Sequence, residues 1–303
     1  MHVAIVGAGV TGLSAADELA RRGVRSTIYE RAPVVGGLAG SFAVNGAYLE
    51  KFYHHLFTSD RAAAALIERL GLGDKLEWLP TSNSFYANRI YHLSTPLDLL
   101  RFSHISLLDR VRMGMMYLAT RFVRDWRPLE AITAKEWLIR MAGRGAYEGV
   151  WKPVLRSKFG QYADQVAAVW IWNKLKLRGS SRGKAQEERL GYLRGGFGQA
   201  IDAWEAHLRQ QGVEIRLNAP VDQIRIEKGR ATGVVSEGTF WPYDRVLATV
   251  APEILLQITP ALPETYAARL SKIEYLANVC LILSLDRSLS DTYCLNIGDP
   301  TIP

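Results

Sequence analysis

His2-Val3-Ala4-Ile5-Val6-Gly7-Ala8-Gly9-Val10-Thr11-Gly12 opens the chain, and its continuation to Glu30 decides the fold. The run from His2 to Val6 is apolar, short and ends in a glycine turn, as a strand buried on both faces does. From Thr11 to Arg22, Leu13, Ala16, Leu19 and Ala20 recur at helical spacing, and Gly23 ends the helix. Arg25 to Glu30 supplies the next strand, with Thr27, Ile28 and Tyr29 as its β-branched and aromatic residues. These three elements make a βαβ unit, so the chain is predicted to be α/β with a parallel sheet.

The glycines at 7, 9 and 12 form a GxGxxG pattern between strand and helix, and an acid, Glu30, ends the following strand. Gly7 permits the tight turn, Gly9 lets a phosphate approach the main chain, and Gly12 lets helix and strand pack closely. The helix start offers unpaired N–H groups and a partial positive charge to a diphosphate. Ala8 lies between the first two glycines, Thr11 adds a hydroxyl donor, and Glu30 is placed to accept hydrogen bonds from ribose hydroxyls. Glycines that serve only the turn are the plainer alternative.

Beyond this unit the character changes. Ala62–Leu70, Leu97–Arg127 and Thr133–Met141 carry helical periodicity. Alternation returns near Gly191, with a helix from Gln199 to Gln211 and strands at Glu214–Leu217, Gln223–Glu227, Ala231–Ser236 and Arg245–Thr249. The longest apolar run, Tyr275–Leu285, is predicted to be a buried strand. The organisation expected is a discontinuous, Rossmann-like nucleotide domain (residues 1–75 and 187–255). A largely helical substrate lobe (76–186, with 256–303) is inserted into it.

The first motif fits either common dinucleotide. Glu30-Arg31-Ala32-Pro33-Val34-Val35-Gly36-Gly37-Leu38-Ala39-Gly40 resembles the extended fingerprint of the flavin amine oxidase superfamily, in particular its protoporphyrinogen oxidase and phytoene desaturase branches. That resemblance implies FAD, with Gly36, Gly37 and Leu38 along the diphosphate and ribityl chain and Arg31 beside the adenosine. Leu193-Arg194-Gly195-Gly196-Phe197-Gly198-Gln199 is similar to the family loop that enters the second half of the flavin domain. Gly212–Val221 looks like the strand that passes the adenine, with the Val221 backbone at the base edge, and Tyr243–Pro252 like the strand returning beneath the cofactor. Members are usually longer and close with a strand, turn and helix, so the resemblance implies either a truncated chain, the favoured reading, or a protein that manages with an incomplete site.

For chemistry, the resemblance points to Leu49–Phe57, which carries His54 and His55, the latter being the better match; a histidine without such a role is the alternative. Adjacent strand residues point to opposite faces, so these two do not form a metal site, and none is expected. Trp170, Trp172, Asn173, Lys174, Arg178 and Arg182 form a second aromatic and basic concentration. It is expected either to line a substrate cleft or, for the tryptophans, to be core.

Composition bounds the rest. The 303 residues are 48% hydrophobic and 22% charged, with a net charge of +7. Between Arg101 and Lys184 there are 17 Lys and Arg against 6 Asp and Glu, a local net of +11. An acidic substrate or an anionic membrane surface fits such a region; no nucleic-acid module is recognisable in it. No apolar stretch reaches the roughly 18 residues needed to span a bilayer. The N-terminus lacks signal-peptide features. Two cysteines, Cys280 and Cys294, offer no framework, so reduced thiols in a cytoplasmic chain are expected, with peripheral membrane contact as an addition. The expected function is an FAD-dependent oxidoreductase taking a hydride from a C–N or C–C unit of an apolar or anionic small molecule. The alternatives are a non-redox flavoenzyme resembling UDP-galactopyranose mutase, and a flavin-binding or membrane-surface module without activity.

Overall fold

Strand β1 (His2–Val6) is buried along four of its five residues, helix α1 spans Val10–Arg21 and strand β2 spans Arg25–Tyr29. After α1 the Gly23 amide bonds back to the Ala20 carbonyl (2.9 Å). The chain then reverses to lay β2 parallel to β1, His2 opposite Arg25 and Val6 opposite Tyr29. Arg245–Ala248 pairs parallel on the other side of β1, and Glu214–Arg216 on the other side of β2, giving a four-stranded parallel sheet. The computed structural model describes residues 1–181, 188–299 and 302.

A parallel sheet needs cover on both faces, and the alternation of side chains shows where it comes from. Val3, Ile5 and Ile28 pack with Leu13 and Ala16 of α1 and with Ile201, Trp204 and Leu208 of the helix Gly198–Gln210. Ala4, Val6 and Tyr29 face the other way, onto Ile224, Val234 and Tyr243, where Val221–Glu227, Arg230–Ser236 and Thr239–Pro242 form an antiparallel sheet. The polar residues on β2 are also accommodated: the Thr27 hydroxyl donates to Glu214 (3.1 Å) and meets His2 Nε2 at 2.9 Å.

The chain divides into two compact units. The first, just described, comprises Met1–His54, Ala64–Leu76 and Leu193–Leu281; the second comprises His55–Ala63, Glu77–Tyr192 and Ile282–Pro303. The second unit is built mainly from helices at Pro96–Arg101, Leu107–Ala119, Ala134–Ala142, Lys152–Phe159 and Ala168–Ser180. It also holds a small sheet of Asn83–Ala87, Arg89–His92 and Cys294–Ile297. Phe85, Phe102, Met116, Trp137, Leu138 and Trp172 are central to its core.

Two expectations are corrected, and one alternative left open for the tryptophans is decided. The periodicity from Leu97 to Arg127 is not one helix: Phe102 turns into the core and Ser106 caps a new helix by accepting the Asp109 amide (3.1 Å). A hydrophobic period can persist across a cap, so the break was hidden. Tyr275–Leu285 forms no strand and is exposed, Val279 at 93%. An apolar run records a tendency to be buried, while a strand also needs a neighbour, and among the described residues none pairs with this segment. Trp172 is core: it is buried and its Nε1 donates to the Thr120 carbonyl (3.1 Å). Trp170 packs edge-on against Phe159 at 4.9 Å. Arg182 lies outside the described residues.

Helix α1 is tied down by charge as well as packing. Asp17, only 7% exposed, receives both terminal nitrogens of Arg69, one at 3.1 Å to Oδ1 and the other to Oδ2. Removing one partner of a buried pair strands the other, a cost of about 3–5 kcal/mol when both are fully buried. The Arg69 side chain is 39% exposed. Arg69→Ala is therefore expected to lower the unfolding free energy by about 2 kcal/mol, as urea denaturation would measure.

Candidate dinucleotide site

The end of β1 leads straight into α1 through Gly7, Ala8 and Gly9. Gly7 sits at φ +104°, a conformation that side chains strain. Gly12 faces the turn so closely that a Cβ on it would lie 1.9 Å from the Gly7 carbonyl oxygen. Both glycines are thus required by the protein's own packing. Gly9 is different: it has ordinary extended geometry (φ −71°, ψ 176°), and a Cβ there would find nothing nearer than the Gly37 Cα at 3.9 Å. The space over Gly9 is open to a ligand.

Gly9 is the N-cap of α1, and the first intrahelical bond runs from the Leu13 amide to its carbonyl (2.9 Å). The first-turn amides of a helix have no partner within it. Here no side chain caps them and no acid occupies the first turn. The result is a helix start with its amide dipoles directed at open space, suited to a diphosphate.

Further groups gather around this turn. Glu30 stands at the end of β2, where its carboxylate accepts the Ala8 amide at 2.8 Å and the Ala32 amide at 2.9 Å. It therefore braces the turn itself, a role the sequence did not disclose, and each oxygen keeps a lone pair for a sugar hydroxyl. The Gly36 amide donates to the Ala8 carbonyl (2.8 Å), and Gly9 and Gly36 form a parallel bridge. A Cβ on Gly37, which has φ +57°, would come within 3.0 Å of the Gly9 Cα. Leu38 and Arg31 are exposed beside this loop. On the far side, Ala219 N donates to the Glu30 carbonyl (2.9 Å) and Asn218 N to that of Ala32 (3.1 Å), which brings the start of Val221–Glu227 to the same end of the sheet. Gly7, Ala8, Gly9, Thr11, Gly12, Glu30, Gly36, Gly37 and Val221 thus converge within the first unit.

The glycines at 196 and 198 answer to a residue far away in the chain. A Cβ on Gly196 would lie 2.3 Å from the Tyr48 carbonyl oxygen, and one on Gly198 would lie 2.4 Å from the Tyr48 ring. Glu50 caps this loop by accepting the Phe197 amide (2.7 Å), and the Tyr48 hydroxyl donates to Asp202. Alternating strand residues 48 and 50 therefore hold the loop, a cross-chain contact without a local sequence signal.

His54 and His55 fall in different units. His54 Nδ1 lies 2.5 Å from the Phe52 carbonyl oxygen. His55 Nδ1 is 3.3 Å from the Tyr293 hydroxyl, and its ring stands edge-on to Phe57 at 5.0 Å. Burial, then the positive charge of Arg178, holds the His55 imidazole below its ordinary value of 6.5, so it is neutral at pH 7. Among the described residues no cluster of three His, Cys, Asp or Glu could hold a metal, and no helix is long and apolar enough to cross a membrane.

The profile of the family described as flavin containing amine oxidoreductase matches residues 10–298. A phytoene desaturase from Fusarium fujikuroi is 25% identical over 90% of this chain and 53% of its own length. Mitochondrial protoporphyrinogen oxidase from Nicotiana tabacum is 30% identical over 37% of this chain and 23% of its own. The crystal structure of an oxidoreductase from Methanosarcina mazei superposes with a TM-score of 0.69 at 19% identity, over 90% of this chain and 64% of that one. The chain spans about half the length of the phytoene desaturase it matches.

Two predictions follow from the glycines and from His55. Gly9→Ala is expected to change stability by less than about 1 kcal/mol, because the lower chain entropy of Ala offsets its poorer fit at an N-cap, and to weaken FAD binding about tenfold or more, roughly 1.4 kcal/mol. Gly12→Ala should instead destabilise the fold; thermal melts beside calorimetric titrations separate the two. For His55, the unfolded chain binds a proton more readily, so its contribution to stability is present above pH 6.5 and is lost as pH falls through the lower folded value. His55→Gln should flatten the fall in stability that sets in as pH drops below 6.5.

Proposed function

The chain belongs to the flavin containing amine oxidoreductase family and its cofactor is FAD; on that premise we propose that it is an oxidoreductase that removes a hydride from a C–N or C–C unit of an apolar or anionic small molecule. The observation that carries the reading is the uncapped start of α1 beneath an open Gly9, with the Glu30 carboxylate beside it. In this reading the amides of the first turn hold the diphosphate, and Glu30, already fixed by Ala8 and Ala32, holds the adenosine ribose without needing to reorganise. Gly36 and Gly37 keep the next loop low enough for the cofactor to pass along it, and the backbone at Val221 meets the base edge.

When bound, the flavin supplies the two-electron acceptor that no side chain provides. The chain's part is to orient, to exclude water and to manage the proton. His55 suits the last task, because burial keeps it unprotonated at neutral pH and the Tyr293 hydroxyl fixes its ring. The relatedness to a phytoene desaturase and a protoporphyrinogen oxidase supports polyenes and porphyrinogens, substrates that gain conjugation on oxidation, as the first to assay.

The test is anaerobic mixing of the FAD-loaded chain with a porphyrinogen, a polyene and a primary amine. Loss of the visible flavin absorbance with one of them, restored by an added acceptor, is expected. Turnover that requires flavin yet leaves its absorbance unchanged would overturn the redox reading in favour of a mutase-like enzyme.

A further inference from the structure

The helix Leu107–Ala119 buries Met113 and Met116 in the second unit's core, the shorter Pro96–Arg101 rests Leu99 against it, and both leave their other side bare. Leu107, Leu108, Val111, Met115, Leu118 and, just past the helix, Phe122 are all exposed, Leu108 at 66% and Phe122 at 81%. At 100° per residue these six positions fall within an arc of about 100°. Met113 and Met116, which are buried, lie on the opposite side. The shorter helix adds Leu97 and Leu100, also exposed. So large an apolar stripe on a helix pair needs a partner, since scattered single residues are ordinary but a contiguous patch is not.

The charges around the stripe indicate which partner. Between Leu97 and Arg127 there are six arginines and three aspartates. Each aspartate is already engaged. Asp98 accepts the amides of Ser94 and Thr95, Asp109 accepts the Ser106 hydroxyl, and Asp125 pairs with Arg127. Arg101, Arg121, Arg124 and Arg127 are exposed, and the Arg127 guanidinium lies 5.5 Å over the ring of the half-exposed Trp126. A second copy of this chain would bring two arginine rims together, which is unfavourable. An anionic lipid surface instead offers acyl chains to the leucines and phosphates to the arginines, with Trp126 at the boundary between them.

We propose that this face docks on an anionic phospholipid bilayer, with the two helices lying in the plane of the interface and Leu108, Val111 and Phe122 entering the headgroup–acyl boundary. Attachment of this kind is reversible and needs both components, apolar area and charge.

Co-sedimentation of the chain with vesicles tests it, using phosphatidylcholine alone and phosphatidylcholine mixed with phosphatidylglycerol, at low salt. Binding to the mixed vesicles is expected, falling steeply toward about 0.5 M salt as charges are screened. Leu108→Glu and Phe122→Glu should each weaken partitioning about tenfold. Arg121→Gln combined with Arg124→Gln should remove the preference for anionic lipid. All these side chains are exposed, so melting temperatures should not change, and that control keeps a folding defect apart from a docking defect. Absence of sedimentation at low salt, or partitioning insensitive to these substitutions, overturns the proposal. So does concentration-dependent dimerisation that Leu108→Glu abolishes, which would assign the face to a second copy.

Discussion

Helix α1 approaches the end of β1 at backbone contact distance, with no room for even a methyl group between Gly12 and the Gly7 carbonyl. That approach fixes where the helix starts, and hence where its unpaired amides point. It also fixes the register of β2, because a short helix leaves little freedom in returning the chain parallel to β1. Glu30 then closes the arrangement from the other end, its two oxygens accepting one amide in the turn and one just beyond the strand. The parallel sheet, the loop at Gly36–Gly37 and the segment leading to Val221 are all arranged about this joint.

The joint is also what the proposed binding role of the sheet depends on. Where a side chain caps a helix start, as Thr95, Ser106 and Thr133 do in this chain, it satisfies a first-turn amide and ends its availability. In α1 the cap position is glycine and the first turn lacks acids, so this solution is absent. The stability forgone there is supplied elsewhere on the same helix, through the Leu13 and Ala16 contacts to the sheet and through the buried Asp17 gripped by Arg69. The demands of packing are thus unevenly shared among neighbouring residues: Gly7 and Gly12 are required by the fold, while Gly9 is not, and it is Gly9 that the proposed diphosphate site uses.

Much of this was legible in the sequence because it is local. The strand, helix and strand from His2 to Tyr29 follow from periodicity and glycine punctuation, and the place of Glu30 follows from its spacing. What was illegible depends on residues far apart in the chain. The bracing role of Glu30 needs knowledge of how the turn folds back. The glycines at 196 and 198 make sense only once Tyr48 is laid against them. Tyr275–Leu285 shows the opposite failure: its apolar character is evident, yet no partner strand accompanies it among the described residues. The histidines lie between these cases, since their position was visible but the burial and the tyrosine contact that set the state of His55 were not.

In the proposed site, main-chain amides at the start of α1 receive the diphosphate. Amide chemical shifts of the 15N-labelled chain, followed during titration with FAD and separately with riboflavin, test that most directly. The prediction is large, saturating shifts at Val10, Thr11 and Gly12 with FAD and none there with riboflavin, which lacks the diphosphate. Saturable FAD binding that leaves those three amides unmoved would contradict it.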